Sequence, residues 1–178
     1  MRIILKKFLS FFIFNYFKLV FSFFIKRQIK SFVVIDIDNT IADTYKVLHM
    51  LTDIKSYELI PTLKGTIREI EKKYLGIPRI FLSNRNIFTY SVTRNWLLKY
   101  NLIDDKKDLL ILTSFPEQKL YYLNLLVNKN ALVNYYDDLS YNHENNKIEF
   151  YNHIISEIRN MDIKYFDFSH INNLNKND

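Results

Sequence analysis

Two aspartates separated by one residue, Asp36 and Asp38, follow an apolar run at residues 32–35 and lead into Asn39 and Thr40. A second apolar run ends in Ser83, Asn84 and Arg85, and a later one ends in the acid pair Asp137-Asp138. Lys119 stands between those two. Carboxylates can act as hard oxygen ligands, as nucleophiles or as proton carriers, and hydroxyl and cationic side chains supply donors for an anion. Four acids drawn to one place repel each other, and a divalent cation is the simplest remedy. Each group also has a bland reading. Asp-x-Asp after a strand often caps a turn or helix, Ser83 alone suits an N-cap, and Lys119 and Arg85 alone suit a solvated surface. Glu117 reads as a first-turn acid, and His143 and Glu144 read as loop residues. The repeated placement after apolar runs favours the functional reading for the others. With no cysteine in the chain, a thiol nucleophile and a Cys-ligated zinc are excluded.

An alternation of strands and helices would bring these residues together. The β-branched run at 32–35 predicts a buried strand. Residues 42–60 show weak periodicity and predict a flap or short helical insertion. Pro61-Thr62 opens a helix carrying Leu63, Ile67, Ile70 and Tyr74, closed by Gly76. Strands follow at 79–82, 109–112, 131–136 and 163–168. Between them lie helices marked by Val92, Trp96, Leu97 and Tyr100, by Leu120, Leu123 and Val127 after Pro116, and by Ile148, Tyr151, Ile155 and Ile158. Tyr121, Tyr122, Tyr135 and Tyr136 read as core and sheet packing, and residues 172–178 as a polar, frayed tail. This order predicts the α/β class, a Rossmann-like three-layer sandwich with a central parallel sheet over residues 31–178. Ligands of such sheets bind beyond the carboxyl ends of the strands. The first strand delivers Asp36 to Thr40 there, the second Ser83 to Arg85 and the fourth Asp137-Asp138.

The run VVIDIDNTIAD resembles motif I of the haloacid dehalogenase superfamily, a hydrophobic strand followed by DxDx[TV]. IFLSNR resembles motif II, Lys119 is placed like the motif III lysine, and YYDD resembles motif IV. The resemblance covers residues 31–168, with the four motifs in order. Asn39 stands where a glycine is common, and Asn tolerates the same turn conformation. The resemblance implies a Mg²⁺-dependent phosphatase that forms an aspartyl-phosphate on Asp36. Asp38 would protonate the leaving alcohol and then deprotonate water, with a pKa raised toward neutrality by its acidic neighbours. Ser83 would bond a phosphoryl oxygen and Lys119 would balance charge. Thr40, Asn84 and Arg85 would face the substrate. The metal would take Asp36, the backbone carbonyl of Asp38 and an acid of the pair, Asp138 being favoured for metal and Asp137 for orienting Lys119. Short insertions imply a capless or minimally capped, acid-phosphatase-like member. A phosphotransferase and an inactive membrane-tethered scaffold are the alternatives.

The formal charge of +6 is unevenly distributed. Residues 1–30 hold seven cations and no acid, whereas the remainder holds eighteen cations against nineteen acids. A nearly neutral domain makes nucleic acid an unlikely partner and leaves small-molecule, sugar or lipid phosphates as expected substrates. Eight of the fifteen phenylalanines also fall within residues 1–30. Asn15, Lys18, Ser22 and Lys26 form one thin polar stripe on a helix there. The segment predicts a hydrophobic, basic helix that associates with a membrane, lying in its plane or spanning it, and leaves the catalytic domain cytoplasmic. A cleaved signal peptide fits less well, since no small-x-small site follows Ile25. Docking on the protein's own core or on a partner is the remaining alternative.

Overall fold

The computed structural model describes residues 2–26, 30–142, 147–148 and 151–176. His143 and Glu144 lie outside the described residues. The chain begins with helix α1 (Arg2–Phe24), strand β1 (Ser31–Ile35) and the short helix α2 (Thr44–Val47). Then come α3 (Lys64–Lys73), β2 (Arg79–Ser83), α4 (Tyr90–Lys99), β3 (Leu109–Leu112), α5 (Gln118–Val127) and β4 (Leu132–Tyr136). The two-residue strands β5 (Tyr141–Asn142) and β6 (Lys147–Ile148) pair antiparallel. Helix α6 (Asn152–Arg159), β7 (Lys164–Phe166) and α7 (Phe168–Asn175) follow.

Five strands form one sheet in the order β3-β2-β1-β4-β7, with every pairing parallel. It is a Rossmann-like α/β arrangement, a central parallel sheet flanked by helices. Strand β1 sits in the middle, and Phe32, Val33, Val34 and Ile35 are all buried. That burial explains the unbroken apolar run, since a central parallel strand has both faces covered. The chain leaves β1 through β2 toward β3 and returns through β4 toward β7, so the order switches between β1 and β4. Open α/β sheets bind ligands at such a point, beyond the strand ends.

The register levels those ends. Ile35 lies opposite Tyr136, and the Asp36 amide donates to the Tyr136 carbonyl at 2.9 Å. The Asp137 amide donates to the Phe166 carbonyl at 3.2 Å. The ladder thus runs one residue beyond the strands and delivers Asp36 and Asp137 side by side.

Asn39 makes the turn out of β1 with φ of 54°, in the left-handed region, and its Oδ1 accepts from the Tyr45 amide at 2.9 Å. Asn39→Ala loses both the tolerated conformation and the bond, and should cost about 1–2 kcal/mol in urea unfolding. Asn39→Gly should cost less, since glycine adopts this φ without strain. Equal losses for both variants would show that the turn conformation contributes nothing.

Residues 42–60 form the anticipated helical insertion, α2 followed by two short 3₁₀ segments. Within the polar C-terminal stretch, residues 172–175 are helical rather than frayed. Asp167 caps α7 by accepting from the His170 amide at 3.2 Å, and Asn175 Oδ1 accepts from the Gly65 and Thr66 amides at 2.9 and 3.3 Å. The end of α7 thereby supplies acceptors to the start of α3, whose first amides have no partner within their own helix. Gly65 is required there, because a Cβ would come within 2.0 Å of the Leu174 carbonyl oxygen. The start of α3 is tied in turn to the loop after β1. The Leu63 amide donates to the Ile41 carbonyl at 2.8 Å and the Asp43 amide to the Pro61 carbonyl at 2.8 Å.

The membrane expectation fails. Among the described residues no helix is long and apolar enough to cross a membrane. Asn15, Lys18 and Ser22 interrupt the apolar run of α1, and one aromatic face of the helix serves the protein's own core while Phe11, Phe12, Tyr16 and Phe23 stay exposed. Phe17, Phe21, Phe24 and Ile25 are buried in the same cluster as Phe32 and Val33. The Phe21 ring meets the Tyr122 ring edge-on at 5.1 Å, and Phe14 meets Tyr121 at 5.3 Å. Lys18 Nζ lies 4.8 Å from the Tyr121 ring centroid, where the aromatic face favours its charge. The localisation inferred from this segment, membrane-associated with a cytoplasmic domain, is therefore withdrawn.

Candidate functional site

Asp36 is buried where β1 ends, and Lys119, on the first turn of α5, reaches it from behind the sheet edge. Lys119 Nζ donates to Asp36 Oδ1 at 2.9 Å and to Asp137 Oδ2 at 2.7 Å. All three residues are under 5 % exposed. Burial pushes the Asp36 carboxyl up to about 7, with Lys119 opposing and Asp137 and Asp38 adding to the rise. Asp137 is also raised, by burial and by Asp138, again against Lys119. Burial alone would lower the Lys119 ammonium, but Asp137 and Asp36 more than offset it and raise its pKa.

Asp137 is heavily engaged. Its Oδ2 also accepts from the Tyr135 hydroxyl, and Oδ1 accepts from the Leu139 amide at 3.0 Å. Asp138 beside it is half-buried. One carboxylate oxygen from each of Asp36, Asp137 and Asp138 lies within 4.8 Å of the others. This all-oxygen donor set suits a hard divalent cation. Even with Lys119 and Arg85 present, four acids outnumber two cations, which leaves charge for such an ion to balance.

Asp38, expected to offer the metal its backbone carbonyl and to carry the proton on its side chain, has its carboxylate outside the Asp36, Asp137 and Asp138 cluster. Its carboxylate turns to Arg85, which donates from Nε to Oδ2 at 2.8 Å and from a terminal nitrogen to Oδ1 at 2.7 Å. Thr44 Oγ1 also donates to Oδ1. Burial works to raise the Asp38 pKa, but the Arg85 charge and these hydrogen bonds overcome it and hold the carboxyl below its ordinary range. The expected rise toward neutrality is thus reversed, because the nearest charge is a guanidinium rather than another acid. Arg85 is itself buried, bonded to Thr93 Oγ1 at 3.2 Å and centred 5.3 Å from the Tyr57 ring. It is neither a surface arginine nor open to substrate in this state.

Ser83 and Thr40 are completely buried, and among the described residues the hydroxyls of both have no hydrogen-bond partner. An unpaired buried hydroxyl costs about 1–3 kcal/mol; Ser83 ends β2 and Thr40 lies in the turn after β1, while the third such hydroxyl, that of Tyr122, lies in the core. Asn84, which follows Ser83, is exposed.

Sequence reasoning missed Thr44, Tyr135, Thr93 and Tyr57. Tyr135 had a signal: two residues before Asp137 on a strand, it shares that residue's face. The other three lay in segments with no motif to mark them.

Lys119→Ala should cost about 3–5 kcal/mol in urea unfolding, because it leaves Asp36 and Asp137 buried together without a counter-charge. A loss below 1 kcal/mol would mean that the ion pairs are not formed in solution.

No family model, curated protein or solved structure matches the chain. Fold and site together define an α/β protein with a parallel sheet and a carboxylate–lysine cluster at its topological switch point.

Proposed function

We propose that the chain is a Mg²⁺-dependent phosphomonoesterase of the haloacid dehalogenase type. The observation that carries this reading is Asp36 at the switch point, bonded to Lys119 and within one carboxylate cluster with Asp137 and Asp138. Phosphoryl transfer needs a nucleophile in line with the leaving oxygen and positive charge around the equatorial oxygens.

An oxygen of Asp36 attacks phosphorus as the bond to the substrate alcohol breaks, leaving an aspartyl-phosphate. The leaving oxygen takes a proton from Asp38. A water then loses a proton to Asp38 and attacks the same phosphorus, which frees inorganic phosphate and restores Asp36. The Arg85 pair keeps Asp38 ionised, which suits the water step. For the first step Asp38 must already carry a proton, taken from solvent or from the phosphate monoanion of the substrate as one guanidinium hydrogen bond is given up. Lys119 fixes the Asp36 oxygen and offsets charge on the transferring group. Ser83 and Thr40 supply the hydroxyls that bond phosphoryl oxygens, and Asn84 borders them. Asp36 and Asp138 are the side chains best placed to hold Mg²⁺, whose positive charge would stabilise the phosphoryl oxygens. Asp137 positions Lys119. The substrate class is a phosphorylated small molecule, a sugar or lipid phosphate among them.

The full chain, incubated with p-nitrophenyl phosphate, should release nitrophenol with Mg²⁺ and stop with a chelator. No turnover at any Mg²⁺ concentration would defeat the proposal. Ser83→Ala offers a finer check. It should lower turnover roughly 10-fold or more, about 1.4 kcal/mol of transition-state stabilisation, while leaving the urea midpoint unchanged or higher, since an unpaired buried hydroxyl is removed. A clear loss of stability would make Ser83 structural instead.

A further inference from the structure

The segment between β1 and α3 closes on the Asp38–Arg85 pair from two places. At its start Thr44 donates to the Asp38 carboxylate. Further along, the Tyr57 ring lies over the Arg85 guanidinium, its centroid 5.3 Å from Cζ. Tyr57 sits in the 3₁₀ segment Lys55–Leu59, which is fastened on both sides. The Asp53 carboxylate accepts from the Ser56 amide at 2.9 Å, and the Ile60 carbonyl accepts from Trp96 Nε1 at 2.8 Å. Trp96 and Ile60 are both completely buried. Helix α4 holds Arg85 as well, because Thr93 Oγ1 accepts from its terminal nitrogen at 3.2 Å. Thr93 and Trp96 are three residues apart on α4 and so share a face. One helix face therefore sets both the guanidinium and the segment that covers it.

We propose that Tyr57 is a positioning residue for Asp38, acting through Arg85. The role rests on Asp38 being the proton carrier of a phosphomonoesterase. Arg85 meets the carboxylate through two N–H bonds, which fix the edge of the guanidinium but leave its faces free. An aromatic ring on one face favours the charge there and restrains the plane from tilting. Asp38 then keeps one orientation, two residues beyond the attacking Asp36. Proton transfer to the leaving oxygen needs hydrogen-bond reach, so a carboxylate that wanders slows the chemical step. The effect falls on kcat rather than on KM, since Tyr57 acts on the site through Arg85.

The ring also packs against the core, and Tyr57→Leu keeps an apolar side chain there while removing the aromatic face. With the full chain, p-nitrophenyl phosphate and Mg²⁺, Tyr57→Leu should lower kcat roughly 5- to 20-fold with KM within about two-fold. Tyr57→Phe retains the ring and should restore kcat to within about two-fold of the parent. Leu59→Ala, in the same segment but 77 % exposed, should change neither constant. A second measurement does not depend on turnover. The Arg85 Nε–H signal in ¹⁵N–¹H NMR spectra, assigned by its loss in Arg85→Lys, should shift in Tyr57→Leu and stay near its parent position in Tyr57→Phe. The proposal alone is overturned if an active parent and Tyr57→Leu share the same kcat, if Tyr57→Phe fails to restore it, or if the Arg85 signal ignores the loss of the ring. An inactive parent overturns the phosphomonoesterase reading and this role with it.

Discussion

Asp36→Asn should abolish phosphate-ester hydrolysis, lowering turnover of p-nitrophenyl phosphate by roughly 10³-fold or more, as expected when a covalent nucleophile is removed. The substitution preserves shape, and Lys119 keeps Asp137 as its partner, so the fold should survive. Stability supplies an independent reading. The folded pKa of Asp36 is raised from 3.8 to about 7. A raised carboxyl favours the folded state most when protonated, so the parent chain should lose stability as pH climbs from about 4 through 7. The Asn variant lacks this group, and its advantage over the parent should widen across the same interval in chelator. Urea midpoints at pH 5 and pH 8 would register it. A variant that hydrolyses substrate at the parent rate ends the nucleophile assignment and with it the proposed function. A flat stability difference would instead leave the activity intact and show that Asp36 is not held in a dry, acid-rich setting.

Phe21→Ala should destabilise the whole chain by about 3–5 kcal/mol, the usual result of emptying a fully buried aromatic site. For a chain of this size that corresponds to a drop of roughly 10 °C or more in Tm. Phe21 is 0 % exposed and packs on Tyr122 of α5, next to the sheet. Phe12→Ala on the same helix should change Tm little, because its ring is mostly in solvent. The contrast separates two pictures of α1. A helix that served only as a tether would let Phe21 go without consequence for the sheet, whereas a helix that completes the core would not. Since typical stabilities are about 5–15 kcal/mol, the Phe21 variant would sit near the margin, and removal of α1 entirely would unfold most of the protein.

Much of the candidate site was legible because its members are local signals. Asp36, Ser83 and Asp137 each follow an apolar run, and a parallel sheet has only one edge to which those runs can deliver them. Asn39 was readable as a turn residue from its own chemistry. What could not be read depends on partners distant in sequence. Asp38 and Arg85 are 47 residues apart, and nothing near either announces the pair, so the carboxyl was assigned an acidic environment and the wrong direction of pKa. The burial of α1 was hidden for a related reason. A run of phenylalanines satisfies a lipid phase and a protein core equally well, and only the aromatic ring pairs with Tyr121 and Tyr122 distinguish them. Helix α7 looked like a polar tail because the polar Asn175 in it caps α3, over a hundred positions earlier.

That last contact links the two ends of the sheet domain to the loop after β1. Asn175 anchors Gly65 and Thr66, the start of α3 anchors the loop after β1, and that loop carries Thr44 to Asp38. Strands β1 through β4 precede α7 in the chain by more than thirty residues, so they can pair before α7 is in place. The loop that presents Asp38 is not secured until that helix folds back. Loss of the Asn175 contacts should therefore loosen the loop that presents Asp38 while sparing most of the sheet.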